Sequence, residues 1–396
     1  MGLSSANSIT QYKKAIAEYL EIESTSVSLF WKGRIALYSL LKALDIKKGD
    51  EIIVPAFTCV VVPNAIIYLG AIPVYVDIDP LTYNIDIDKI ESKITSKTKV
   101  ILAQNTFGLS PDLDKIFEIA RKHNLKVVED CTHGFGGSYK GKKNGTIADA
   151  SFYSTQWNKP FSTGIGGIAV VKDPKLAERL NQIEADAIAP TNKEALFLKT
   201  LIFVREKLLI PSIYWPAVKL YRFLSKNNLI IGSSQGEELQ APKYFPEFLK
   251  GMTEIQAEKG IEGLKKIDND NRHRIITANK YKEFFFKMGF ENIFQPEYAE
   301  HTFLKFPILV KNRKEFIELA EKNNIELGEW FTSPIHPISE NHHLWNYEYG
   351  QNPIAEDVSQ KIVNLPTHRD INNEQLGNIF NFLTRNKDSL LMPKII

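Results

Sequence analysis

Cysteine is nearly missing: the 396 residues contain only Cys59 and Cys131. Two isolated cysteines cannot build a disulfide framework, so a reducing compartment is expected. An excess of one charge is also lacking. Lys plus Arg is 49 and Asp plus Glu is 47, a formal net charge of +2. Such a balance gives no reason to expect nucleic acid or an anionic membrane as the main partner. No apolar run is long and uncharged enough to span a bilayer. The start, Met1-Gly2-Leu3-Ser4-Ser5-Ala6, lacks the charged beginning and apolar core of a signal peptide. Ala6 stands where a myristoylation pattern needs Ser or Thr. A cytoplasmic protein is therefore expected. The loop histidines His336, His342 and His343 have no third ligand at a sensible spacing, so no metal site is expected. No Gly-x-Gly-x-x-Gly follows the first strand, which argues against a nicotinamide dehydrogenase.

The length predicts two domains, or one large domain and a smaller one. Glu51–Pro55, Pro73–Asp77, Val100–Ala103 and Lys126–Asp130 are short apolar runs that predict buried strands. Leu37, Leu40, Leu41 and Leu44 share one helix face, and Asp112–Asn124 predicts another helix. Strands alternating with helices imply crossovers and a mostly parallel sheet covered on both faces. Ligands of such sheets bind at the carboxyl ends of the strands. From about Asn192 to Leu224 the chain is rich in large apolar residues, but Lys199, Arg205, Lys207, Lys219 and Arg222 interrupt it and Pro211 and Pro216 break it. This predicts a helical excursion that packs on the body or on a second subunit, rather than one lying on a membrane surface. A long helical pattern from Met252 through Tyr281, a strand over Thr302–Val310 and helices over Arg313–Asn323 and Ile371–Leu383 predict a smaller α+β domain. The expected division is 1–250 for the large domain and 251–396 for the small one.

Three segments carry chemistry. In Val127-Val128-Glu129-Asp130 an acid closes an apolar strand. A carboxylate there either caps the next element or keeps a pyridine nitrogen protonated, as a pyridoxal phosphate (PLP) site requires. In Ser151 to Gly167, Lys159 lies between a strand and a Gly-rich turn. Schiff-base chemistry needs an amine that can lose its proton, and burial near another cation lowers a lysine pKa. Ser154 is either a donor to the cofactor phosphate or a strand-end hydroxyl. In Lys32-Gly33-Arg34-Ile35-Ala36 a helix begins. Its amides and Arg34 suit a phosphate, or it is an ordinary helix start after glycine.

Together these segments resemble the DegT/StrS-type sugar aminotransferases. The likeness is carried by Gly49-Asp50-Glu51-Ile52-Ile53-Val54-Pro55, Gly70-Ala71-Ile72-Pro73-Val74-Tyr75-Val76-Asp77, Glu129-Asp130-Cys131-Thr132-His133-Gly134, and Lys159 with Gly164. It continues through Met252-Thr253-Glu254-Ile255-Gln256-Ala257 and Asn364-Leu365-Pro366-Thr367-His368. The resemblance implies an α/β, aspartate-aminotransferase-like fold (PLP fold type I), a homodimer with shared active sites, and PLP as cofactor. It implies Lys159 as the Schiff-base lysine and proton carrier, and Asp130 as the partner of the pyridine nitrogen. His133 is implied beside the ring hydroxyl, and Gly33, Arg34 and Ser154 at the phosphate. It further implies L-glutamate as amino donor, released as 2-oxoglutarate, and a keto- or aldehyde-sugar acceptor. The product would be an amino sugar for cell-surface polysaccharide, lipopolysaccharide included.

This chain departs from that pattern in several places. Arg34 stands where many relatives have Thr, and Cys59 where they have a ring-stacking aromatic. Val60, Val61 and Val62 replace small hydroxyl residues, Leu249 and Gly251 replace Asn and Arg, and Asn105 replaces a His. Arg34 is expected to compensate for the lost phosphate contacts. Cys59 is expected to line the cofactor site, and Asn105 and His336 the sugar site. The typical acceptor is a nucleotide-linked 4-keto-6-deoxy sugar. The altered pocket also admits an octulosonate (Kdo) oxidised to an aldehyde at C8. A PLP-dependent sugar dehydratase would carry His in place of Lys159, and a non-catalytic homologue would not need Lys159, Asp130 and Gly164 intact.

Overall fold

A computed structural model describes residues 7–208, 237–290 and 295–391. The N-terminal elements are α1 (Ser8–Leu20), β1 (Val27–Phe30), α2 (Gly33–Ala43), β2 (Glu51–Pro55), β3 (Thr58–Cys59), α3 (Val61–Ile67) and β4 (Ile72–Val76). They are followed by β5 (Thr98–Gln104), α4 (Leu113–Lys122), β6 (Lys126–Asp130), β7 (Ser138–Tyr139), β8 (Lys142–Lys143), β9 (Ala150–Ser154) and β10 (Gly167–Val171). Then come α5 (Pro174–Ala185), α6 (Asn192–Phe203), α7 (Glu254–Leu264), α8 (Ile267–Lys287), β11 (Ala299–Glu300), β12 (Phe306–Val310) and α9 (Arg313–Lys322). The chain closes with β13 (Ile335–His336), α10 (Pro353–Lys361), β14 (Ile362–Leu365), α11 (Asn373–Arg385) and β15 (Leu390–Leu391).

The central sheet has seven strands in the order β1-β10-β9-β6-β5-β2-β4. β4, β2, β5, β6 and β9 run parallel, while β10 is antiparallel to both β9 and β1. Three of the expected apolar runs, β2, β5 and β6, form its middle, and their interior residues are fully buried, as strands covered on both faces must be; the fourth, β4, lies at its edge with Val74 half-buried. The directions place the carboxyl ends of β6 and β9, the chain leaving β1, and the start of β10 along one edge.

α2 is buried along nearly its whole length, from Arg34 through Leu41. Its leucines join Ile52, Val54, Val100, Leu102 and Val128 in the largest hydrophobic cluster. Phe331, Ile335, Trp345 and Val358 enter that same cluster from far along the chain. A second cluster is built by residues 278–327 and 363–390 around the three-stranded sheet β14-β12-β15. Burying such side chains contributes roughly 1.5–3 kcal/mol each before entropy is counted.

Two sequence expectations shift in detail. The long helix from Met252 divides into α7 and α8, because Lys265 ends the first helix and Ile267 begins the next. The strand expected from Thr302 begins only at Phe306. The residues before it are occupied otherwise: Phe303 has a positive φ of 49°, and His301 stacks on its ring. Of the apolar excursion, α6 packs Leu198 and Ile202 onto Trp31 and Ile165, with Trp157 alongside. The rest of that expectation, from 209 to 224, lies outside the described residues. Among the described residues no helix is long and apolar enough to cross a membrane.

Candidate active site

The strand edge opens into a pocket with about 700 Å³ of empty space, open to solvent. Gly33, Arg34, Cys59, Asp130, His133, Ser154 and Lys159 all line it. Residues spread over more than a hundred positions thus meet because each ends or follows a strand of one sheet, or begins α2. Lys32, Thr58, Gln104, Phe152, Gln156 and Phe331 complete much of the wall.

At one end lies the start of α2, whose first amides have no partner within the helix. Lys32 occupies the N-cap and supplies no side-chain cap. A Cβ on Gly33 would sit 2.8 Å from Ser154 Cβ, so only glycine lets this helix end approach β9 so closely. Gly167 repeats the requirement on β10, where a Cβ would come within 2.3 Å of the Lys32 carbonyl oxygen. Amides, a hydroxyl and two cations therefore converge, a combination that suits a phosphate. Arg34 is engaged by Glu238, which is also bonded by the Tyr68 hydroxyl at 3.1 Å. Burial, with the neighbouring Arg34 charge, pushes the Lys32 ammonium down to about 8.

At the other end Asp130 closes β6. Burial raises its carboxyl, while the Thr132 amide, donating to Oδ1 at 2.9 Å, and the Lys159 charge act the other way. Its neighbour Glu129 is also buried, and accepts from Asn105 at 3.0 Å and from the Gly145 amide at 2.8 Å. Lys159 reaches the same space from the loop between β9 and β10. Burial lowers its pKa; the Asp130 charge opposes this and the Lys305 charge adds to it. The loop is held from outside. Arg274 donates to the Pro160 carbonyl at 2.7 Å, and Arg205 donates to the Trp157 carbonyl at 3.0 Å while covering its ring.

His133 is stacked between aromatic rings. Its plane lies 6° from that of Trp330 at 4.9 Å and 13° from that of Phe107 at 6.2 Å. The Phe107 amide donates to His133 Nδ1 at 3.3 Å, so the neutral ring carries its proton on Nε2. Burial and the Lys159 and Lys305 charges hold its pKa well below the usual range.

Two expected residues stand elsewhere. Asn105 is fully buried behind β6, bonded to Glu129 and Cys131, and does not line the pocket. His336 takes the Thr332 amide and hydroxyl on Nδ1, at 3.2 and 2.9 Å, and its strand β13 pairs with β3. It borders the site without forming its wall. His342, considered above for a metal, bonds instead to the Ile338 carbonyl at 3.0 Å. Sequence reading missed Phe331, which lines the pocket, and Trp330 and Lys305, which lie beside Lys159 without lining it. Their signal was the Trp330-Phe331 pair just before the Pro334-Ile335-His336-Pro337 segment, but nothing local says which pocket an aromatic pair will face.

The site fits PLP on observations independent of any likeness: a Cβ-free cradle at Gly33, a buried acid at Asp130 and a lysine of lowered pKa between them. The comparisons agree. The family model for DegT/DnrJ/EryC1/StrS aminotransferases matches residues 2–203 and 234–384. GDP-perosamine synthase of Escherichia coli O157:H7 is 31% identical over 375 residues, covering 94% of this chain and 88% of that protein. The dTDP-3-amino-3,6-dideoxy-α-D-galactopyranose transaminase of Aneurinibacillus thermoaerophilus is 30% identical over 354 residues, covering 89% and 83%. In structure the chain is similar to NtdA of Bacillus subtilis with bound PMP, with a TM-score of 0.73 at 24% identity, covering 96% of this chain and 77% of that one. The chain belongs to the DegT/DnrJ/EryC1/StrS aminotransferase family and is a PLP-dependent aminotransferase of fold type I.

Proposed function

We propose that this enzyme transfers the amino group of L-glutamate to a keto- or aldehyde-sugar, making an amino sugar for cell-surface polysaccharide. The observation that carries the reading is that Lys159 and Asp130 line one pocket and feel each other's charge. Bound there, PLP would supply an electron sink to the reacting amine. Lys159 would hold it and, as a free amine, would carry a proton between the donor Cα and the cofactor. An amine whose pKa burial has lowered suits both directions of that transfer. Asp130 would keep the pyridine nitrogen protonated by charge pairing, and the His133 Nε2–H would be the donor for the ring hydroxyl. The Gly33 and Arg34 amides, with Ser154 and the Lys32 and Arg34 charges, would hold the phosphate, and Cys59 and Phe331 would stand where relatives commonly have an aromatic.

The relatives at 30–31% identity are named for GDP- and dTDP-linked sugars. That favours a nucleotide-linked keto-sugar as acceptor over the C8-aldehyde of Kdo; the 3-amino product of one of them places its ketone at C3, so the names do not choose between C3 and the more typical C4. Lys159 weighs against a sugar dehydratase. A homodimer with shared sites, working in the cytoplasm, completes the proposal.

The test is a half-reaction screen. The protein is loaded with pyridoxamine phosphate, candidate keto- and aldehyde-sugars are added singly, and recovery of PLP absorbance is followed. One nucleotide-linked keto-sugar should restore it, and Lys159→Ala should not respond. If no sugar carbonyl restores the absorbance but simple keto acids do, the sugar reading fails.

A further inference from the structure

Lys305 directly precedes β12, in the second cluster's sheet, yet its side chain reaches the Trp330 ring that also carries Lys159. Its ammonium lies over the indole of Trp330, 5.5 Å from the ring centre, and Lys159 lies over the same ring at 4.8 Å. One indole therefore carries two cations, with His133 stacked on it as well. The charge of Lys305 reaches both Lys159 and His133 and opposes protonation of each.

Among the described residues, the surroundings of Lys305 are short of negative charge. Glu326 attracts it from a distance, while Arg274 and Arg205 repel it. Those two arginines donate to backbone carbonyls of the Lys159 loop, so their guanidinium groups serve its geometry. Among the described residues Lys305 meets no carboxylate within ion-pair distance and donates no hydrogen bond; its contact is the face of Trp330. A half-buried ammonium in such company is costly unless something brings it an anion. The indole face steadies the amine without neutralising it.

We propose that Lys305 is a specificity residue that binds an oxyanion of the reacting substrate next to Lys159. The proposal rests on the aminotransferase reading and deepens it. Two substrates of that cycle carry an oxyanion: the amino donor, on its carboxylates, and the acceptor, on a sugar acid or phosphate. The shared chemistry is a carboxylate or phosphate oxygen taken by a cation that Trp330 holds in place.

The experiment uses the PLP-loaded full-length enzyme, with Lys305→Gln and Lys305→Arg beside wild type. Binding of glutarate, a donor-like dicarboxylate without an amine, and of inorganic phosphate is measured by calorimetry. The L-glutamate half-reaction is followed by absorbance, separating KM from the limiting rate. If the donor supplies the anion, Lys305→Gln should weaken glutarate about tenfold to a hundredfold, the range for a lost charged hydrogen bond. It should raise KM for glutamate with little change in limiting rate, and Lys305→Arg should recover most of the loss. If the acceptor supplies it, phosphate binding should weaken by a like factor while glutarate and glutamate stay unchanged. Unchanged binding of both probes, with the cofactor absorbance intact, would overturn the proposal. Were wild type to ignore every amino acid while Lys305→Gln still lost glutarate, the anion site would stand and the aminotransferase reading would fall.

Discussion

The imidazole of His133 lies flat on the indole of Trp330, with ring centres 4.9 Å apart and planes 6° apart. The two residues come from opposite parts of the chain, one just after β6 and the other just before β13. Trp330 also lies beneath the Lys159 amine, so a single side chain touches two members of the site. Trp330→Ala should remove about 0.5–1.5 kcal/mol of aromatic contact and loosen both neighbours. The expected outcome is a drop in kcat of about tenfold with the cofactor retained. Single-turnover rates and cofactor content would check it; loss of cofactor with unchanged kcat would contradict it.

The approach of Gly33 to Ser154 permits a sharp steric test. In Gly33→Ala the new methyl would stand 2.8 Å from Ser154 Cβ, too close without displacing the start of α2. PLP affinity should fall by about tenfold or more, since amides and hydroxyl would no longer converge. Adding Ser154→Gly should relieve the clash but not return the hydroxyl, so affinity should recover only in part. Equal affinity in all three proteins would count against a phosphate at this end.

Arg34 and Glu238 are both nearly buried, and removing Arg34 takes from Glu238 the cation it pairs with. Breaking such a pair typically costs about 3–5 kcal/mol. Arg34→Met should therefore lower the denaturation midpoint, and Arg34→Met with Glu238→Gln should regain much of it. If Arg34 also holds the cofactor phosphate, the double variant should still bind PLP weakly. Full affinity in the stable double variant would remove Arg34 from the cofactor site.

Lys32 has its pKa pushed down to about 8 by burial and by Arg34. Its charge is thus present below that pH and lost above it. Inorganic phosphate should bind the cofactor-free protein more weakly at pH 9 than at pH 7. Lys32→Met should bind it weakly at both, with a flatter pH dependence. A wild-type profile as flat as the variant's would show that Lys32 does not face the phosphate.

His301 is buried against Phe303 and the Phe107 carbonyl, and burial holds it down to about 3. The unfolded chain takes up this proton near pH 6.5, whereas the folded chain refuses it until about pH 3. Stability is thus undiminished above pH 6.5 and falls as pH drops through that window, by about 1.4 kcal/mol per unit for one group. His336, held down to about 4, adds to the same trend. The raised carboxyls of Glu129 and Asp130 oppose it, so the comparison must be with His301→Gln. That variant should lose less stability between pH 6.5 and 4 than wild type in urea titrations.

Much of the candidate pocket's lining carries local signals. Asp130 ends an apolar strand, Lys159 precedes a Gly-rich turn and Gly33 opens an amphipathic helix, and each pattern spans only a few residues. Asn105 misled because a strand-end polar residue has the same sequence appearance whether it faces the pocket or, as here, turns behind β6 to pair with Glu129. Trp330 and Lys305 were not legible, since an aromatic pair and a lysine beside a strand usually belong to a core and a surface.

The order of residues alone determined the alternation of strands and helices and the buried central runs, because hydrophobic period is a local property, and its family likeness named the candidate amine and acid, Lys159 and Asp130. Tertiary structure decided the rest. It brought Phe331 and Ile335 into the first core, laid Trp330 on His133, and set Lys305 within reach of Lys159. Those contacts join segments more than a hundred residues apart, and their positions follow from how sheets and helices pack, which no short stretch of sequence encodes.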